Sequence, residues 1–414
     1  RSCLGLPRMK KDQGMIDDVG QSERRVSEGA SRVLPICIDG RLLDGNFTGV
    51  GHYGHRLAQT LERHAVPPMR LDAAMPEQDQ SGAAARMGRY LRAYLPGVRS
   101  LVRSHAVKPG YAERLIGQDI FRQAYLHFKF HGRLMRLQVP GPAGIMHWTY
   151  PLPLYLEGWR NIYTVHDIIP IDRPDLSSIN PVRMERLLRA IMARADHLVT
   201  VSEVVRQELV ARFGCAPDTV TACHQVADLD ARRGEASRDP NAHFLFCGAV
   251  EPRKNLARLA RAYVASGSNR PLIIVGQDGW RSDEVRREIG SHPGIRFMPL
   301  QSRESLSDLI RGARALLFPS LAEGFGLPVA EALVLGTPVM ASDIPTLREV
   351  AGDAALFVDP FDEAEMSRAI MRLDGDDILC ERLARLGDVK AVAYQSRAYH
   401  ERLQAIYAAV GENR

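Results

Sequence analysis

From His243 onward the apolar residues arrive in short unbroken runs, separated by longer stretches in which they recur every three or four positions. The runs "HFLFCGAV", "PLIIVG", "GIRFMPL", "ALLFP", "PVMAS" and "ALFVDP" read as strands. Between them "NLARLARAYVAS", with Leu256, Leu259 and Tyr263 on one face, "RESLSDLIRGA", "LPVAEALVLG" and "EAEMSRAIMRL" read as helices. Strict alternation of this kind leaves a parallel sheet with helices on both faces as the fitting architecture. The first half repeats the design: Val33 to Ile38, "GIMHWTY", "NIYTVHDIIP" and "HLVTVS" are strand-like, and "SEVVRQELVARFG" is a helix with Ser202 as N-cap. The turn "NFTGVGHYGHRL" places Gly49 and Gly51 before a helix that runs to about Arg63.

A chain of 414 residues exceeds what one hydrophobic core usually serves, so the fold class expected is α/β with two Rossmann-like domains. We expect a flexible leader over 1–32, polar and aperiodic, then an N-terminal domain over 33–230. A C-terminal domain follows over 241–390, and a final helix over 391–410. Residues 217–240, ending in "RRGEASRDPNA", read as the interdomain link. Two such domains face each other across a cleft at the carboxyl ends of their strands. In the final helix Tyr394, Tyr399, Leu403 and Tyr407 form an apolar stripe, suited to core packing or to a return across the cleft.

Lys plus Arg exceeds Asp plus Glu by 54 − 49 = 5, too mild an excess to imply a nucleic-acid partner. The six cysteines are scattered without metal-ligand or C-x-x-C spacing, which points to reduced thiols in a cytosolic protein. No apolar run approaches the roughly 20 residues of a spanning helix. One segment, 87–136, is basic and amphipathic, with Glu113 and Asp119 its rare acids. It reads either as a solvated helix face or as a peripheral contact with anionic lipid, on the inner face of the plasma membrane.

The chemistry concentrates in two loops. In "PSLAEGFGLPVAEALVLG", Pro328 is set for a first helical turn, so "EGFGL" brings backbone amides to a helix N-terminus that attracts phosphate oxygens. Glu323 lies in the loop and Glu331 is read in the first helical turn. Each is placed to accept hydrogen bonds from ligand hydroxyls, or, more plainly, to be a solvated acid and a complement to the helix dipole. In "GAVEPRKNLARL", Arg253 and Lys254 sit where a strand passes into a helix, as cations that hold a diphosphate would. His166 follows the strand "NIYTV" at its carboxyl end, with Asp167 beside it to orient the ring. His52, His55 and His147 have weaker claims.

E-P-R-K-N followed by E-G-F-G-L-P-V-A-E, with two glutamates separated by seven residues, resembles the retaining nucleotide-sugar glycosyltransferases of family 4. The likeness spans nearly all of the second half and, through "TGVGHYGHRL", "TVHDIIP" and "VSEVVRQEL", more loosely the first. It implies the GT-B fold with a C-terminal crossover helix. It also implies that Arg253 and Lys254 bind the donor diphosphate and that Glu331 binds the ribose. Glu323 and the amides of Gly324, Phe325, Gly326 and Leu327 would hold the donor sugar. Gly51 would approach the diphosphate from the N-domain, and His166 would lie near the sugar. "TACHQVAD" from Thr221 departs from the family's Asn-Gly turn.

The resemblance further implies retention at the anomeric carbon. Retaining hydrolases set two carboxylates about 5 Å apart around the scissile bond, a pair not offered here, so same-face attack is expected, with Glu323 as nucleophile the lesser option. No metal site and no cofactor beyond the donor are expected. GDP-mannose is the first donor choice and a UDP-sugar the second, with base selection in loops such as Met298 to Arg303. The acceptor is expected to be a saccharide or lipid-linked saccharide in bacterial polysaccharide synthesis. The rivals are a sugar-nucleotide epimerase on the same architecture and a noncatalytic nucleotide-sugar-binding or partner subunit.

Overall fold

The computed structural model describes residues 34–44, 49–63, 67–74, 83–95, 97–104, 110–227 and 242–412. The leader expected over 1–32 and most of the expected link lie outside the described residues.

The N-lobe strands are β1 (Ile36–Asp39), β2 (Met69–Ala74), β3 (Arg99–Ser100), β4 (Val102–Ser104), β5 (Arg114–Gln118), β6 (Met135–Gln138), β7 (Ile145–Trp148), β8 (Leu154–Leu156), β9 (Arg160–Val165), β10 (His197–Thr200) and β11 (Val220–Ala222). Eight of them form one sheet in the order β11-β10-β9-β7-β1-β2-β5-β4, parallel except for β4. The C-lobe strands are β12 (Phe244–Cys247), β13 (Leu272–Val275), β14 (Ile295–Met298), β15 (Ala315–Phe318), β16 (Val339–Ser342) and β17 (Ala355–Val358). They make an all-parallel sheet in the order β14-β13-β12-β15-β16-β17. Strand β11 corrects the expected link: residues 220–222 still belong to the N-lobe sheet, paired to β10. Three residues are too few to show a period, which is why composition alone assigned them to a linker.

Burial on both faces accounts for the unbroken runs. All four residues of β1, β7, β12, β15 and β16 are buried, each Val, Leu or Ile contributing about 1.5–3 kcal/mol over exposure. In the N-lobe Trp148 stacks on Tyr163 at 5.9 Å. Buried Asn161 is fully bonded there: its Oδ1 accepts from Trp148 Nε1 at 3.0 Å, and its Nδ2 donates to Leu156 O at 2.8 Å. In the C-lobe Phe246 stacks on Phe318, also at 5.9 Å.

The last helix, Ser396–Glu412, packs on the N-lobe. Tyr407 Oη lies 2.7 Å from His147 Nδ1, and His147 Nε2 lies 2.8 Å from Thr164 Oγ1. Desolvation pushes the pKa of this fully buried imidazole down to about 3. His147 is thereby a core residue, not a ligand-facing one. The chain passes between the lobes a second time just before this helix, and the two passages are bonded to each other. Ala227 N donates to Tyr394 O at 3.0 Å, and Arg402 Nη2 donates to both His224 O and Ala393 O.

Candidate active site

At the carboxyl end of β12 the chain makes a 3-10 turn, Pro252–Lys254, before the Leu256–Ser266 helix. This turn aims both cations at the loop after β15. Arg253 Nη1 donates to Glu323 Oε2 at 2.8 Å and to Ala322 O at 2.8 Å, while Lys254 Nζ donates to Glu323 Oε1. Glu251 takes the other edge of the guanidinium at 2.8 Å. Burial works against every charge here. It raises the Glu323 carboxyl, but Arg253 and Lys254 more than offset it and hold the pKa at about 2. Burial and the neighbouring Arg253 push Lys254 down. For Arg253 burial is outweighed by Glu323, Glu251 and Asp167, which hold it up. The expected separation, cations for diphosphate and Glu323 for hydroxyls, is therefore one interlocked cluster. Two cations share a carboxylate whose side chain is only 8% exposed.

Downstream, Gly326 adopts φ 92° and caps the Leu327–Val334 helix. A Cβ on it would lie 2.4 Å from Leu347, so glycine is required by both backbone and space. Glu331 sits beyond the expected first turn, as the helix's fifth residue, and is 3% exposed. Its partner is Arg303, the first residue of the Arg303–Arg311 helix, at 2.7 Å. Burial raises the Glu331 pKa, and Arg303 opposes the rise. Sequence reasoning missed Arg303 as a partner; its only signal was the helix start after Ser302.

From the N-lobe, Gly51 is buried in the Gly49–Glu62 helix. His166 is part-buried at the end of β9, with Nε2 2.9 Å from Thr149 O and its ring against the Tyr53 edge at 4.9 Å. Because a carbonyl can only accept, Nε2 carries the proton. Desolvation lowers the pKa to about 4, so the ring is neutral with Nδ1 as an acceptor. Asp167 does not orient it: its Oδ1 accepts from Ile169 N at 3.1 Å, a local turn that outcompetes the ring.

The lobes touch at the "EGFGL" loop. A Cβ on Gly324 would lie 2.0 Å from His166 O, and Ser202 Oγ donates to Gly324 O at 2.7 Å. Glu349 of the Pro345–Ala351 helix accepts from Glu203 N at 2.7 Å and Val204 N at 2.9 Å. A C-lobe carboxylate thus caps an N-lobe helix. The same Glu349 lies 2.6 Å from His224 Nε2, and Phe325 packs edge-on to Tyr394. Beside Leu327, His52, Arg56, Arg303 and Tyr399 leave a void of only about 10 Å³. Desolvation first, then Arg303, brings the His52 pKa to about 4. Among the described residues, no three His, Cys, Asp or Glu side chains are arranged to hold a metal ion.

Two facing sheets, parallel but for β4, with their strand ends meeting at one cleft, make the GT-B fold. Over 91% of its length the chain superposes on sucrose-phosphate synthase from Thermosynechococcus elongatus, with TM-score 0.66 at 16% identity and 99% of that chain covered. It also superposes on Anabaena HepE in complex with UDP and glucose, with TM-score 0.64 at 12% identity, covering 91% of this chain and 100% of that one. Residues 48–231 match Glycosyltransferase Family 4, and residues 229–388 match Glycosyl transferases group 1. The chain belongs to glycosyltransferase family 4. It is 34% identical over 244 residues to O-antigen chain mannosyltransferase B of Escherichia coli, spanning 55% of this chain and 64% of that relative's length.

Proposed function

We propose that the protein transfers a hexosyl group, mannosyl in first place, from a nucleoside diphosphate sugar to a saccharide or lipid-linked saccharide acceptor, with retention, in bacterial polysaccharide synthesis. The observation that carries this reading is the interlocked Arg253–Glu323–Lys254 cluster at the strand ends. A donor diphosphate competes with Glu323 for the two cations, and the released carboxylate is left to accept hydroxyls of the sugar. With a pKa near 2, Glu323 is ionised throughout the physiological range and cannot serve as an acid. Neutral His166 offers Nδ1 to a further sugar hydroxyl. Glu331 exchanges Arg303 for the ribose hydroxyls, and Gly51 backs the diphosphate from the N-lobe.

In the step itself the bond from the anomeric carbon to the diphosphate oxygen breaks, its electron pair leaving with the diphosphate. Arg253 and Lys254 stabilise that growing charge in a site with little water. The acceptor hydroxyl forms its bond on the same face and passes its proton to the departing oxygen, so no protein nucleophile is used. Mannose is favoured by the Escherichia coli relative, an O-antigen mannosyltransferase; a UDP-sugar is the second choice, since HepE was solved with UDP and glucose.

A peripheral contact with anionic membrane belongs to the same reading. On the Ala83–Tyr94 helix Met87, Tyr90, Leu91 and Tyr94 are spaced along one face and lie 69%, 46%, 60% and 60% exposed. Phe130 joins them, 5.9 Å from Tyr94. Beside the stripe opens a groove of about 850 Å³ lined by Arg133, Arg136 and Arg194. Apolar side chains ringed by cations suit an interface of acyl chains and anionic headgroups. No described helix is long and apolar enough to cross a membrane.

The test is a thermal-shift series with GDP, UDP, ADP and their sugar conjugates, followed by turnover with the donor that stabilises. GDP-mannose should raise Tm in the wild type and not in Lys254→Ala, which should lose roughly a hundredfold or more in kcat. Equal shifts in wild type and Lys254→Ala, or no shift with any nucleotide, would refute the reading.

A further inference from the structure

Arg41 and Arg183 differ from the other cations of the cleft. Among the described residues Arg253 and Arg303 meet carboxylates, whereas Arg41 and Arg183 meet aromatic rings. The Arg41 guanidinium lies 5.0 Å from the Tyr125 ring centre, 5.8 Å from Tyr150 and 6.0 Å from Phe121. Arg183 lies 5.2 Å from the same Tyr125 ring. Aromatic faces hold a guanidinium in place without neutralising it. Two guanidiniums thus meet around one tyrosine, and the buried Asp39 carboxylate acts on Arg41 without forming an ion pair with it.

The cluster lies at the chemical edge of the N-lobe. Arg41 follows β1 at its carboxyl end, and Tyr150 follows β7, one residue after the Thr149 whose carbonyl binds His166. Tyr125 lies on the Ile120–His131 helix, which carries the stripe residue Phe130 five positions on, a rise of about 7.5 Å. The arginine cluster and the exposed apolar stripe thus share this one helix. Phosphate is the group that two neighbouring guanidiniums select, through bidentate charged hydrogen bonds.

We propose that Arg41 and Arg183, framed by Phe121, Tyr125 and Tyr150, bind the phosphate that joins the acceptor saccharide to its lipid. The aromatic rings flank the first sugar, the lipid leads toward Phe130 and Tyr94, and the saccharide's far end reaches His166. This rests on the reading of the protein as a transferase acting on a lipid-linked saccharide, and it specifies what part of that acceptor is recognised.

Two probes that differ only in the linking group separate the possibilities: octyl mannoside and octyl mannosyl diphosphate, titrated calorimetrically into the full chain. The wild type should bind the diphosphate conjugate at least tenfold more tightly. Arg183→Gln should remove most of that preference, and Arg41→Gln with Arg183→Gln all of it, with the affinity for octyl mannoside unchanged. Circular dichroism and Tm check folding, and Arg183, exposed on its helix, gives a variant whose fold is not at risk. A preference that survives the double change overturns the proposal, as does equal or absent binding of the two probes. Inorganic diphosphate binding as tightly as the conjugate would also overturn it, marking an anion site that ignores the saccharide. Because these are binding measurements, they stand apart from transfer. A retained preference with no turnover on any sugar nucleotide would count against the transferase reading and leave the phosphate subsite in place.

Discussion

At the residue scale, burial sets the protonation of the N-lobe histidines, while pairing sets that of Glu323. His166 and His147 have pKa values lowered to about 4 and about 3, in both cases chiefly by desolvation. In the unfolded chain each would take up its proton near pH 6.5. The unfolded state therefore binds protons first as pH falls, and the stability these residues contribute is complete above about pH 6.5 and lost toward the folded values. Between pH 7 and pH 5 the loss is about 2 kcal/mol for each. Asp39, fully buried and raised by desolvation to about 6, works in the opposite sense, so the informative quantity is a difference. His147→Gln should lose about 2 kcal/mol less than the wild type on going from pH 7 to pH 5. Urea unfolding at both values measures it. Parallel losses in the two proteins would mean that His147 does not titrate in that window.

At the scale of elements, the loop 323–327 is held from both sides. Thr346 Oγ1 donates to Glu323 O at 2.9 Å from the C-lobe, and Ser202 Oγ reaches Gly324 O from the N-lobe. Gly324→Ala would place a methyl group 2.0 Å from His166 O, where backbone on both sides leaves little room to yield. We expect kcat to fall at least tenfold and stability to drop by about 1–3 kcal/mol, the usual effect of overpacking. Steady-state rates and Tm report both, and wild-type values for either would mean the lobes do not bear on this loop in solution. The loop also marks how far the sequence could be read. The strands, the helix beginning at "LPVAE" and the two charged motifs announce themselves, because burial on both faces and turn chemistry leave local traces. Glu349 left no such trace, being an acid in an ordinary helix that takes up two free amides of an N-lobe helix only when the other lobe arrives. Nor did Arg303, whose pairing with Glu331 joins residues 28 apart in sequence. Asp167 misled for the opposite reason: its nearest amide claimed it before His166 could.

At the scale of the whole molecule, the apolar stripe and the N-lobe side of the cleft belong to one lobe, so the surface that would meet lipid and the side that would receive the acceptor move together. The chain should cosediment with anionic liposomes at low salt and be released as ionic strength rises, since the cations around the stripe are screened over about 10 Å at 0.1 M. Tyr94→Ser with Leu91→Ser should abolish cosedimentation without lowering Tm, and absence of pelleting by the wild type would leave the stripe as bare surface. Between the lobes the chain passes twice, and Ala227 N bonding to Tyr394 O ties the passages side by side. A door hung on two pins swings about one axis and cannot swivel. The void of about 10 Å³ beside Leu327 is far smaller than the several hundred Å³ of a ligand pocket, so a donor bound there, as proposed above, requires the lobes to part. Were the lobes to part for a donor, two such pins would bring His166 back to Gly324 in one register, without a search over orientations.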